Sequence, residues 1–371
     1  MKYFKSVIAI SLLIFTILAV ACQNQKTEWK GTITVEDGVT VVQNPKEPIY
    51  GEDVFDLEED LSIGESTKEG DYLFSEIGSI AVDDAGNIYV LDAKENHALA
   101  FNNTGKHLRT FGRAGQGPGE FSLALTMSLT NQNEIVIEDY RNHLVYFSTE
   151  GEHIRDLPSA KTGIRRVTVD SRGDILGIVI VRDGENSHYE LNKYDTDLNF
   201  LHILCTTPTP SASNEGFNPF GGTIYYRFDK DDRVVWGIPD HYEINIFDTT
   251  GSLVKKITKD YDPVEITEEE KKEATEELPE SIKLKIPKYH NAFRRITTDD
   301  EGMIFVMTME RIQGSKGYYY DVFDPEGRYL AKLPFKFRPF LIKKKKIYSI
   351  TEDEDGFHIV KRYKVNWRMD E

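Results

Sequence analysis

Apolar and polar residues alternate in short runs along most of this chain. Most runs close on a cluster of Asp, Asn and Gly, the pattern of half-buried β-strands joined by tight turns. IAVDDAGNIYVLD, Ile80 to Asp92, is followed by LAFNNTGKHLRTF, Leu99 to Phe111. Each phrase is two β-branched or aromatic runs about a turn that tolerates positive φ, which predicts a β-hairpin. The first phrase returns from Arg165, Ile224 and Arg294, and the second from Leu144, Leu191, Ile244 and Tyr319. Two hairpins make a four-stranded sheet, so the chain repeats one sheet several times.

The spacing decides how those sheets assemble. Measured at the second turn, Gly105 to Gly151 is 46 residues, Gly151 to Asn199 is 48, Asn199 to Gly251 is 52 and Gly251 to Gly327 is 76. A period of roughly 40 to 50 residues with four strands per unit is that of propeller blades. Five units are plain, and RPFLIKKKKIYSI from Arg338 with FHIVKRYKV from Phe357 gives three strands of a sixth. DVFDLEEDLSI, Asp53 to Ile63, is the candidate for the missing strand, which would leave no raw sheet edge. The predicted fold is therefore all-β: a six-bladed β-propeller of four-stranded antiparallel blades, its last blade closed by an N-terminal strand. Asn199 at a turn-glycine position and Lys343 to Lys346 in place of an Asp-rich turn blur blade boundaries there, not the blade count.

The stretch GNIYVLDAKENHALAFNNTGKHLRTFGRAGQGPGEF, Gly86 to Phe121, resembles an NHL-type repeat. From about Pro45 onward the chain resembles the six-bladed β-propeller lipoproteins common in Bacteroidetes. That resemblance implies the fold and no single activity.

The N-terminus reads as an address. Lys2 and Lys5 precede an apolar run from Val7 to Ala21, shorter than the roughly 20 residues that span a bilayer. Residues 1–21 are expected to be a signal peptide. Leu18 to Cys22 reads as a relaxed lipobox with lipidation at Cys22, while Ala19-Val20-Ala21 is also a site for ordinary signal peptidase and a soluble product. Lipidation is preferred, because the chain holds only 2 cysteines and one stands in that slot. Residues 22–44 are then a lipidated tether and 45–371 the propeller, with a helical insertion at about 261–290. Gln23 to Lys30 lacks an acidic cluster, so the expected location is the outer membrane, facing the periplasm rather than the cell surface. Cys205 is left without a partner and reads as a small buried hydrophobe.

Formal net charge is −17, which disfavours nucleic acid, whose affinity comes from neutralising phosphate. The one basic block, Lys343 to Lys346, sits at a hairpin and reads as a solvated turn tip. GRAGQGPGEF, Gly112 to Phe121, lacks the Lys-Ser/Thr of a phosphate cradle and reads as an interblade connection. The turn acids, Asp83-Asp84, Asp170, Asp231-Asp232 and Asp299-Asp300, recur where a turn needs side-chain-to-backbone bonds and are not taken as calcium ligands. No short metal spacing and no Gly-x-Ser-x-Gly elbow occurs. No cofactor is expected.

Topology carries the functional expectation. In a blade both tight turns emerge on one face of the ring, and the longer connections on the other. That second face gathers Gly112 to Phe121, Pro208 to Gly222 and the insertion from Tyr261 to His290, where ITEEEKKEATEEL favours a helix with Thr267 as N-cap and Pro279 beyond its end. Aligned on Asp170 and Asp299, the pairs Arg165-Arg166 and Arg294-Arg295 fall at the same positions of the innermost strand. Four guanidinium groups converging on the channel mouth would make an anion site, completed by Tyr289, His290, His241 and Tyr242 from loops of that face. The alternative for the arginines is pairing with acids of neighbouring blades. The expected function is a non-catalytic envelope lipoprotein whose loop face binds a ligand or partner, an anionic one (glycan, carboxylate or protein) being one option. The alternative is a metal-dependent hydrolase or lyase of lactonase-like type at the channel mouth.

Overall fold

The computed structural model describes residues 28–65, 72–141, 143–184, 186–209, 216–279 and 281–368. The expected signal peptide (1–21) and lipidation site Cys22 lie outside the described residues, as does the centre of the 208–222 loop. Six antiparallel blades stand in a ring. Their innermost strands are Ile77–Val82, Ala124–Leu129, Arg165–Val169, Tyr225–Phe228, Phe293–Thr298 and Pro339–Lys343. Each touches the next, and the sixth returns to the first. The apolar clusters lie between neighbouring blades: Tyr242, Ile244 and Ile246 of blade four pack on Ile304, Val306 and Phe323 of blade five. Alternating strands thereby bury both faces of each sheet.

Blade six is completed from the N-terminus. The strand there, Phe55–Ile63, pairs antiparallel with His358–Trp367 from Val360↔Ile63 to Trp367↔Phe55. It begins after a short 3-10 turn, Glu52–Val54, so Asp53 is not part of it. Phe55 packs edge-on against Phe335 of blade five at 5.3 Å and Trp367 at 4.9 Å, and Arg362 closes on Asp60 at 2.7 Å.

The tether expected over residues 22–44 is corrected in its second half. Thr32–Glu36 (β1) and Val39–Asn44 (β2) form a hairpin, and β2 runs parallel to Leu253–Lys259, the outermost strand of blade four. The reason is a fit of one face and one amide. Val42 is fully buried against blade four, and Asn44 donates to Gly327 O (2.9 Å) and Thr258 O (3.1 Å) while accepting from Tyr329 N (2.8 Å).

On the turn face, side chains bond the turns and link some of the blades. Asp170 Oδ1 accepts the N–H groups of Arg172 and Asp174 at 2.9 Å, and Asp299 Oδ1 those of Glu301 (3.0 Å) and Met303 (2.8 Å), the turn role expected for these acids. Lys343 pairs with Asp84 (3.1 Å), Lys345 with Glu301 (3.6 Å) and Lys346 with Asp60 (3.6 Å), while Lys344 N donates to Asp300 (3.0 Å). The basic block therefore joins blade six to blades one and five.

In the 261–290 insertion the helix is Glu268–Thr275 (α1), with Thr267 as N-cap in a reciprocal capping box with Glu270.

Candidate functional site

The site starts from an irregularity in the innermost strands. In five of the six, the pairing register shifts near the strand's start, between Ile77 and Ser79, Ala124 and Thr126, Arg165 and Thr168, Phe293 and Arg295, and Pro339 and Leu341. Blade four pairs without interruption from Tyr225 to Phe228. A bulge sharpens the twist and re-aims the side chains beside it. In blade three it holds Arg166 at φ 58°, a left-handed conformation costly for a non-glycine residue. Three contacts hold it there. The buried Glu138 carboxylate of blade two accepts the N–H groups of Arg166 (3.0 Å) and Val167 (2.8 Å), and Tyr226 of blade four donates its hydroxyl to Arg166 O (2.5 Å). Opposite, Gly177 is required, since a Cβ would stand 2.8 Å from Arg165 O.

The strands so arranged enclose a cavity of about 490 Å³ on the ring axis, walled by all six blades. Arg166, Arg227, Arg295 and Arg338, from blades three, four, five and six, line it, and no Asp or Glu does. Arg166 Nη1 donates to Thr223 Oγ1 (3.2 Å) and Arg227 Nη1 to Tyr226 O (2.8 Å). Among the described residues none of the four pairs with a carboxylate. Their proximity is visible in their acidity: burial, then the charges of Arg338 and Arg227, brings Arg295 down to about 10. Burial, then Arg166 and Arg338, also lowers Arg227. Arg295 still carries its charge at neutral pH, so the cavity is a concentrated positive field in an acidic protein. Lys343, at the opposite end, is occupied by Asp84 and by Val82 O (2.9 Å).

The remaining expected residues scatter. Arg294 is exposed on the rim, its Nη1 donating to Tyr318 OH at 2.5 Å. Arg165 turns away from the cavity, donating to Ile164 O (2.9 Å) with its guanidinium over the Tyr140 ring. His290 sits beside α1, its Nε2 3.2 Å from Glu270 Oε2, and borders a second cavity of about 460 Å³ with Phe220 and Arg294. Tyr289 is exposed, with Lys288 over its ring at 4.9 Å, and His241 is exposed beside Glu243 at 3.8 Å. Tyr242 belongs to the core, its hydroxyl donating to the buried Asp321 at 2.7 Å. No residue of α1 lines the axial cavity; Glu270, Glu273 and Ala274 line the second cavity instead.

Two arginines escaped the sequence alignment. Arg227 lies two residues before its turn aspartate, Asp229, whereas Arg166 and Arg295 lie four before theirs. Positions two apart on a strand share a face, so Arg227 points into the same channel one step deeper. Arg338 precedes the first strand of blade six, where the turn is Lys344-Lys345 and offers no aspartate to align on.

Among the described residues no three His, Cys, Asp or Glu side chains gather as a metal site. Burial pushes the Cys205 thiol up to about 12.

Residues 63–244 match the model of a family described as a 6-bladed beta-propeller. The chain is a six-bladed β-propeller. Among solved structures the propeller is similar to a protein of Bacteroides fragilis described as exported, at 13% identity over 88% of this chain and 99% of that one, with a TM-score of 0.53. It is likewise similar to a member of the duf4221 family from Bacteroides vulgatus, at 11% identity over 85% and 99%, with a TM-score of 0.51. Virginiamycin B lyase from Staphylococcus aureus aligns at 11% identity over 83% and 99%, with a TM-score of only 0.41. These likenesses are of fold alone. No curated protein sequence matches the propeller.

Proposed function

We propose that the propeller is a non-catalytic binding protein of the cell envelope that takes an anionic ligand, or an anionic group of a partner, at the mouth of its axial channel. The observation that supports this is the set of four arginines from four blades around one cavity without a carboxylate. Like charges brought together around one cavity, with Arg227 and Arg295 partly buried, oppose each other and the fold. An anion entering the cavity relieves that opposition and meets planar forks suited to carboxylate, sulfate or phosphate. The acidic surface elsewhere repels the same ligand, so binding is confined to the mouth.

The envelope location rests on the sequence, through the apolar run to Ala21 and Cys22, and on likeness to a protein described as exported. Anchoring through acyl chains at Cys22 would hold the propeller at the outer membrane, facing the periplasm.

Calorimetry with citrate at fixed ionic strength tests the binding. Charge-assisted contacts contribute roughly 1.5 to 3 kcal/mol each, so Arg227→Ala and Arg295→Ala should each weaken binding about tenfold or more. Unchanged affinity in both variants would contradict the assignment.

A further inference from the structure

We infer that the channel is the inner half of a two-part site whose ligand is a ring-bearing dianion, one anionic group among the channel arginines and the second at the rim between blades five and six. The inference rests on the anion reading above. At that rim a cavity of about 400 Å³ shares Arg295 and Arg338 with the channel. It adds three cations of its own, Arg294, Lys316 and Lys336, and no Asp or Glu lines it. Lys316 and Lys336 are exposed and pair with no carboxylate among the described residues, although acids outnumber bases 62 to 45 in this chain. Their charge is therefore available to something that is not part of the protein.

The walls say what lies between the two charges. Tyr225, Tyr318, Tyr320 and Phe337 line this cavity. Phe337 is held flat on Tyr363, with ring centroids 4.3 Å apart and planes 7° from parallel, and the Tyr318 ring has Arg294 at 5.0 Å and Arg311 at 5.3 Å. Fixed aromatic faces receive either a flat aromatic ring or the apolar face of a sugar. Tyr320 supplies an independent sign of a missing partner. It is 1% exposed, and its hydroxyl makes no hydrogen bond. A buried hydroxyl without a partner is costly and rare, and this one belongs to a residue on the wall of the cationic cavity.

Calorimetry on the full chain in detergent distinguishes the two parts. The probes are galacturonate (a monoanion), digalacturonate (two carboxylates spaced by sugar rings) and naphthalene-2,6-dicarboxylate (two carboxylates spaced by an aromatic ring). One of the dianions should bind at least tenfold more tightly than galacturonate, and which one does so identifies the ring. Lys316→Ala with Lys336→Ala, both at exposed positions, should remove that advantage and leave galacturonate affinity within twofold. Arg227→Ala should weaken every probe. Tyr320→Phe should weaken the preferred dianion alone. Equal affinity for monoanion and dianions, or a lysine double variant without effect, overturns the two-part site and leaves the channel reading standing. Failure of every probe to bind overturns both.

Discussion

At the scale of single residues, burial and charge set predictable costs. Asp299 makes the turn of blade five, where burial first, and then Asp300 and Glu301, raise its pKa to about 6 from the ordinary 3.8. A carboxyl with a raised folded pKa binds its proton more tightly in the fold than when unfolded. Its charge therefore costs stability as pH rises from about 4 to about 6, and the full cost persists above. Asn at this position keeps the oxygen that accepts from Glu301 and Met303. Asp299→Asn should raise stability at pH 8 by about 1 to 3 kcal/mol and change it little at pH 4, read by chemical denaturation at the two pH values. The turn role of this aspartate was legible in the sequence because an aspartate recurs at the first turn of four of the six blades. Its burial was not, because burial depends on the neighbouring blade. The same limit hid Arg227, whose place in the cavity lining is seen only once the blades are assembled.

At the scale of elements, the two N-terminal additions act differently. Phe55–Ile63 was predictable because blade six lacked a strand and DVFDLEEDLSI supplied one in the right alternation. β2 was not, since its place on blade four depends on a parallel pairing that no local turn announces. Asn44 is the joint of that pairing. Asn44→Ala would orphan Tyr329 N and Gly327 O between blades four and five and should destabilise by about 2 to 4 kcal/mol. A denaturation midpoint equal to the parent's would show that the hairpin adds nothing. α1 depends on one carboxylate. Burial would raise Glu270, but Thr267 N–H, the His290 ring and the Thr267 hydroxyl together hold it down to about 2. A depressed acid contributes stability that is complete above its unfolded value of about 4.5 and is lost as pH falls toward 2. Glu270→Gln should speed amide exchange in residues 268–275 at pH 7 and should narrow to no difference at pH 2.

At the scale of the whole molecule, ion pairs on the turn face join blade six to blades one and five, and arginines of four blades line the axial cavity. The fold was readable because its period is written in local turns. The site was half readable, because arginines are visible one by one whereas the absence of nearby carboxylates is a property of the assembled ring. Cys22→Ala should move the protein from the membrane fraction to the soluble fraction, and a correctly cleaved variant that stays with the membrane would place its anchor elsewhere. The most direct test of the anion-binding mouth is the melting temperature of the parent and of Arg295→Ala, each with and without citrate at constant ionic strength. The account predicts that citrate raises the parent's melting temperature by several degrees, that Arg295→Ala alone melts higher than the ligand-free parent because one opposed charge is gone, and that citrate then adds little. A parent indifferent to citrate, paired with a variant no more stable than the parent, would contradict it.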